Sequence, residues 1–172
     1  MKIFSTIFLL LIAPFVILNI NAQNTIKPIV LPSNKNEDVN LQTLIGEKGY
    51  YILVFWSIDE KKSLEFLENI KESSKEWTDE NDLGIVIINI DKDAKKEKAD
   101  AYAKKKEWTY ETLYDPEQKT KNIFKYTQLP HIVIVKNDGK FVKTYFGYNQ
   151  GDEYLLDEKI SELFEDSPGE KD

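Results

Sequence analysis

Three short runs of this chain carry almost no polar residue: YYILVFW (residues 50–56), IVIINI (85–90) and LPHIVIV (129–135). A strand with one wet face alternates apolar and polar side chains, so runs without alternation mark strands covered on both faces. Their β-branched and aromatic content favours strand over helix. Between them the apolar residues recur at helical spacing. Phe66, Leu67 and Ile70 form one stripe, extended by Ser63 and Trp77, and Ala99, Tyr102 and Ala103 form another. The second lies in a lysine-rich stretch, 95–106, whose charges read as a solvated face. A short strand precedes a turn at Asp115-Pro116, and a helical segment runs through Ile123, Phe124 and Tyr126. Asn137-Asp138-Gly139 is a hairpin signal leading into residues 141–145. Leu155, Leu156, Ile160, Leu163 and Phe164 complete a last amphipathic helix. The order β-α-β-α-β-α-β-β-α predicts one α/β domain, a mixed central β-sheet with helices on both faces.

Residues 1–22 stand apart from this pattern. Met1-Lys2 is a basic start, residues 3–20 are apolar apart from breaks such as Ser5, Thr6 and Pro14, and Asn21-Ala22 offers a small-residue cleavage point. This reads as a secretory signal peptide. The alternative is an uncleaved N-terminal helix, because about 18 apolar residues nearly span a bilayer. The folded domain is expected over residues 23–166, with a disordered tail at 167–172. Its ~150 residues are enough to bury a core without covalent staples. Export implies a periplasmic or extracellular location.

Composition removes several classes of function. Of 172 residues none is cysteine, so no thiol chemistry is open to this chain, even in a compartment that permits disulfides. All 23 basic residues are lysine, which removes the bidentate guanidinium grip on phosphate or carboxylate. A formal charge of −7 argues against nucleic acid or an anionic membrane as partner. No membrane insertion is expected once the signal peptide is removed.

The first apolar run ends abruptly in LVFWSIDEKKS, residues 53–63. A buried strand gives way here to a helix start. Ser57 and Glu60 stand at capping-box spacing, and Asp59 is a competing N-cap.

Four segments in this order resemble the thioredoxin superfamily, and within it the extracytoplasmic TlpA-like and redoxin branch. PIVLPSNKNEDVNLQTLIGEKG is similar to that branch's lead-in, LVFWS to its first core strand end, and IVIINID to its second core strand. YTQLPHIVIVKNDGKFVKTYFG is similar to its cis-proline loop, hairpin and closing glycine. The resemblance spans about residues 28–164 and implies a thioredoxin-like fold. It places Glu60 where the nucleophilic cysteine would stand and Ser63 where the resolving cysteine would stand. Val54 takes the place of a buried acid, Pro130 that of the cis-proline, and His131 that of a frequent threonine. The catalytic pair of the family is therefore missing. A helix N-terminus that lowers a thiol's pKa also favours a carboxylate, so Glu60 or Asp59 fits there as a cap, but neither can attack a disulfide.

The resemblance further implies a binding edge where substrate peptides pair with the cis-proline loop. Trp56, Ser57, Ile58, Asp59, Glu60, Leu129, Pro130 and His131 are expected to converge there, with Trp56 and Ile58 near solvent and Glu60 and His131 as polar anchors. The Leu129–Pro130 bond is expected to be cis. The function that follows is a non-catalytic peptide- or protein-binding module of the cell envelope, with its partner and oligomeric state left open. Other readings stay open beside it: Glu60 as a plain helix cap, His131 as a partly exposed loop residue, the corner as structural only, or another chemistry or metal binding at Glu60 and His131. No cofactor or metal is expected, since one histidine with Asp59 and Glu60 makes a weak ligand set. A Ser63–His131 nucleophile pair is set aside because Ser63 should point inward.

Overall fold

The computed structural model describes residues 26–165. The expected signal peptide and the tail at 167–172 lie outside the described residues. A small antiparallel pair, β1 (Val30–Pro32) and β2 (Asp38–Asn40), leads into a short helix α1 (Leu41–Ile45), capped by the Asn40 side chain on the amides of Gln42 and Thr43. The central strand β3 (Tyr50–Trp56) follows, then α2 (Lys61–Asn69) and α3 (Lys71–Glu80). Next come β4 (Leu83–Asn89), α4 (Lys96–Lys105), β5 (Glu111–Tyr114) and α5 (Lys121–Phe124). A hairpin of β6 (His131–Lys136) and β7 (Phe141–Phe146) precedes the last helix, α6 (Glu153–Glu165).

The strand order is β5-β4-β3-β6-β7. The β3–β4 and β4–β5 pairs are parallel, and the β3–β6 and β6–β7 pairs are antiparallel. Paired on both edges and covered on both faces, β3 has no wet side, which is why its sequence does not alternate. Ile52, Val54 and Trp56 face a core built with Phe66, Leu67, Ile70, Trp77, Ala99, Leu156 and Ile160 from α2, α3, α4 and α6. Tyr51, Leu53 and Phe55 face a second core, with Leu41 and Ile45 of α1, Phe124 of α5, and the entering segment at Ile26 and Leu31. Each fully buried side chain of this kind is worth about 1.5–3 kcal/mol relative to exposure.

The lead-in holds more regular structure than its polar, turn-rich sequence suggests, namely the β1–β2 pair and α1. The stripe from Ser63 to Trp77 is two helices rather than one. The chain unwinds at Ile70 (φ −85°, ψ −1°), although the Ile70 and Ser74 amides still donate to the carbonyls of Phe66 and Ile70. The third helical segment stops at Phe124, because Lys125 turns left-handed (φ 54°) and leaves Tyr126 beyond it.

Candidate functional site

The corner after β3 is held by a carboxylate from the neighbouring strand. Ser57 Oγ donates to Asp91 at 2.6 Å, the Ile58 amide donates to its other oxygen at 2.7 Å, and Asn89 Nδ2 reaches that oxygen at 2.8 Å. The Ile90 amide donates to the Trp56 carbonyl at 3.0 Å. Asp91 thus clasps the ends of β3 and β4. With its proton committed to Asp91, Ser57 Oγ accepts from the Asp59 amide (3.2 Å), and the capping box expected from Ser57 and Glu60 does not form. Glu60 is the N-cap of α2 by backbone geometry, and its side chain makes no capping bond. Asp59 is exposed and pairs with Lys95 and with Lys98 (3.4 Å). The Lys95 hydrogen bond holds its carboxyl below the usual range.

Four of the residues expected at the binding edge, Trp56, Ile58, Pro130 and His131, are buried. Trp56 is fully buried, its ring edge-on to Trp108 at 5.5 Å, because its position in β3 faces the helix-covered side. Ile58 is buried too, its amide drawn to Asp91 and its side chain in the same core. Neither stands near solvent. His131 opens β6 opposite Phe55, so it lies on the other face of the sheet from Trp56. Its ring is fully buried among Phe146 (4.9 Å), Phe55 (5.7 Å) and Tyr126 (6.1 Å). Neither ring nitrogen makes a hydrogen bond. Burial pushes its pKa down to about 4, and the nearby Phe124 carbonyl, outside hydrogen-bonding geometry, offsets this only in part. His131 is a neutral core residue, not a polar anchor. Pro130 is buried, the Leu129–Pro130 bond is cis, and the Pro130 carbonyl accepts from Gly147 at 2.8 Å. Leu129 is half-buried, and neither its amide nor its carbonyl bonds to another described residue. Ser63 is buried and its hydroxyl has no partner, so no Ser63–His131 hydrogen bond exists. Among the described residues no cluster of three or more His, Asp or Glu side chains is arranged to hold a metal ion.

The family model for thioredoxin-like proteins matches residues 48–141. The chain belongs to the thioredoxin-like family. No curated protein matches it. Among solved structures, this thioredoxin-like chain is similar to an uncharacterized thioredoxin-like protein from Porphyromonas gingivalis, with 26% identity and a TM-score of 0.72 over 84% of this chain and 94% of that one. A thiol-disulfide oxidoreductase from Bacteroides fragilis NCTC 9343 follows at 21% identity and a TM-score of 0.67, covering 81% and 98%. StoA from Bacillus subtilis shares 16% identity at a TM-score of 0.59, covering 76% and 95%. At those identities the last two are likenesses of fold.

Within this thioredoxin-like frame the two positions assigned to the cysteines are Glu60, half-buried at the start of α2, and buried Ser63. A thiolate is the species that attacks a disulfide, and this chain has none. Two residues at the corner were not singled out from sequence. Asp91 was visible only as the end of a strand, and its role depends on the β3–β4 register. Phe146 is 58% exposed beside the cis-proline loop, directly opposite His131 in the β6–β7 pair. Its one sequence signal is a large aromatic placed just before Gly147.

Proposed function

We propose that this chain is an exported, redox-inactive thioredoxin-like protein that binds an extended stretch of a peptide or partner protein in the cell envelope. The observation that carries this reading is Leu129, whose backbone donor and acceptor have no partner among the described residues at the edge where the family's substrates pair. Strand-like pairing of that kind draws its affinity from main-chain hydrogen bonds and does not need the lost cysteines. Phe146 supplies the apolar contact that buried Trp56 and Ile58 cannot, and Asp59 and Glu60 place carboxylates on the rim. Export is supported by the basic start and apolar run of residues 1–22, and extracytoplasmic location is the setting of the branch it resembles.

The test is a titration of isotope-labelled domain with a permanently unfolded polypeptide, reduced and carboxymethylated α-lactalbumin. The Leu129 amide signal is expected to shift to saturation. Phe146→Asp should weaken binding about tenfold or more, and because the Phe146 ring also covers His131, its melting temperature is measured beside the affinity so that lost binding is read only on folded protein. Charge reversal at Glu60 should act on association rate and salt dependence. Binding that ignores both variants and falls on mutating the lysine face of residues 95–106 would move the site to α4 and leave the corner structural.

A further inference from the structure

β7 is the open edge of the five-stranded sheet. The opposite edge, β5, is covered by the lead-in, where Ser33 bridges to Leu113 and the Asn34 amide donates to the Thr112 carbonyl at 3.1 Å. At the end of β7 the Gly147 amide donates to the Pro130 carbonyl. Antiparallel alternation then turns the backbone groups of Tyr145 and Lys143 towards β6 and those of Thr144 and Phe146 outwards. Those outward groups have no partner among the described residues. Sheet edges are ordinarily blunted by charges, prolines or bulges. Here the bulge lies at the far end of the strand, between Ile134 and Val135, and the one charge on β7 is Lys143.

Both faces of this strand match a second copy of it. A two-fold axis through Thr144 sets Tyr145 opposite the second copy's Lys143. Two rungs from Thr144 it sets Phe146 opposite the second copy's Phe141, because the bulge gives Phe141 the rung of Val135. Phe146 is 58% exposed and Phe141 half-buried, so an aromatic pair closes each end of the seam. On the other face a groove of about 360 Å³ separates β7 from α6, lined by Lys143, Tyr145, Leu155 and Glu158 among others. Lys159 beside it is paired with Glu162 at 2.9 Å, and Lys143 stands over the Tyr145 ring at 5.6 Å. Neither Lys143 nor Glu158 has an ion-pair partner among the described residues, and both are exposed. The second copy's Lys143, opposite Tyr145, enters the groove that holds Glu158.

We propose that β7 pairs antiparallel with β7 of a second copy of this chain, forming a two-fold dimer in which one sheet continues into the other. A second copy fits better than an unrelated strand because one patch supplies both halves of each pair, aromatic with aromatic and ammonium with carboxylate. The dimer does not depend on peptide binding at Leu129, which lies at the end of β6 rather than along β7. Phe146 is shared by the two surfaces, so the test acts on Lys143 and Glu158.

Sedimentation velocity of the exported protein from about 5 µM to 1 mM should show a reversible monomer–dimer equilibrium with a Kd on the order of 10–100 µM. Over the same range the amide NMR signals of Thr144 and Phe146 should move with protein concentration. Lys143→Glu and Glu158→Lys, each checked for an unchanged melting temperature, should each weaken the dimer about tenfold, because both cross-copy pairs become like charges. An equimolar mixture of the two variants should regain the wild-type affinity, since both pairs between unlike chains are then opposite in charge. Recovery on mixing needs two chains, so an effect confined to one chain cannot produce it. A protein that stays monomeric to about 1 mM would overturn the proposal, as would a mixture no tighter than either variant alone. Thr144 and Phe146 signals that ignore protein concentration but move with reduced, carboxymethylated α-lactalbumin would assign this edge to a foreign strand and overturn it too.

Discussion

His131 carries two unpaired ring nitrogens in an aromatic shell, and this has a sign that can be measured. The unfolded chain protonates this histidine below about pH 6.5, whereas in the folded state it resists protonation down to about pH 4. Between those values the unfolded state binds more protons, so stability falls as the pH drops through the window and levels off below it. Denaturation at pH 7.5 and 4.5 should therefore show a loss in the wild type larger by about 2 kcal/mol than in His131→Leu. Parallel losses would contradict a neutral buried imidazole. At neutral pH the leucine variant should be at least as stable, because it removes buried polar atoms that have no partner. Ser63 follows the same logic from the other core. Its buried hydroxyl makes no hydrogen bond, so Ser63→Ala should change stability by less than about 0.5 kcal/mol or raise it. A loss above about 1 kcal/mol would mean that the hydroxyl has a partner.

At the scale of elements, α4 ends in a turn that sets Trp108 against Trp56. The Trp108 amide donates to the Ala103 carbonyl and the Glu107 amide to the Lys104 carbonyl, the paired bonds of a Schellman cap. The residue between them is Glu107 at φ +55°, where glycine is the usual occupant. Glu107→Gly should stabilise the domain by up to about 1 kcal/mol, read from the denaturation midpoint, since relief of left-handed strain exceeds the added unfolded-state entropy. A drop would show that the glutamate side chain contributes more than its backbone strain costs. The β5–α5 turn depends on one buried carboxylate. Asp115 accepts from the amides of Lys119 and Thr120, both at 2.8 Å, and from the Thr120 hydroxyl at 2.5 Å. Asp115→Ala leaves these donors without their acceptor and should cost about 2 kcal/mol or more. The Asp-Pro pair announced this turn in the sequence. The break at Ile70 did not announce itself, since no glycine or proline stands there.

Taken as one molecule, the sheet was legible because each core strand names itself by an unbroken apolar run, and its mix of parallel and antiparallel strands followed from the crossover helices and the Asn-Asp-Gly hairpin, whereas the order of the strands was not legible. The site was less legible for a reason rooted in the same runs. A strand covered on both faces gives no local sign of which face each residue takes, so Trp56 read as solvent-facing although α4 and Trp108 close over it. Asp91 as a clasp requires the pairing of Trp56 with Asn89, and the exposure of Phe146 follows from β7 being the sheet edge. None of these is local. What remains in place is the corner itself. The Ser63 amide donates to the Glu60 carbonyl at 3.0 Å, a turn that holds their Cα atoms within about 7 Å, the reach of a disulfide. Insulin reduction in the presence of dithiothreitol tests this most directly, comparing the wild type with the Glu60→Cys, Ser63→Cys double variant. The wild type should match the no-protein control, and the double variant should close a disulfide and turn over above it. Wild-type turnover, or a folded double variant whose thiols stay apart under oxidation, would contradict a redox corner that has lost only its cysteines.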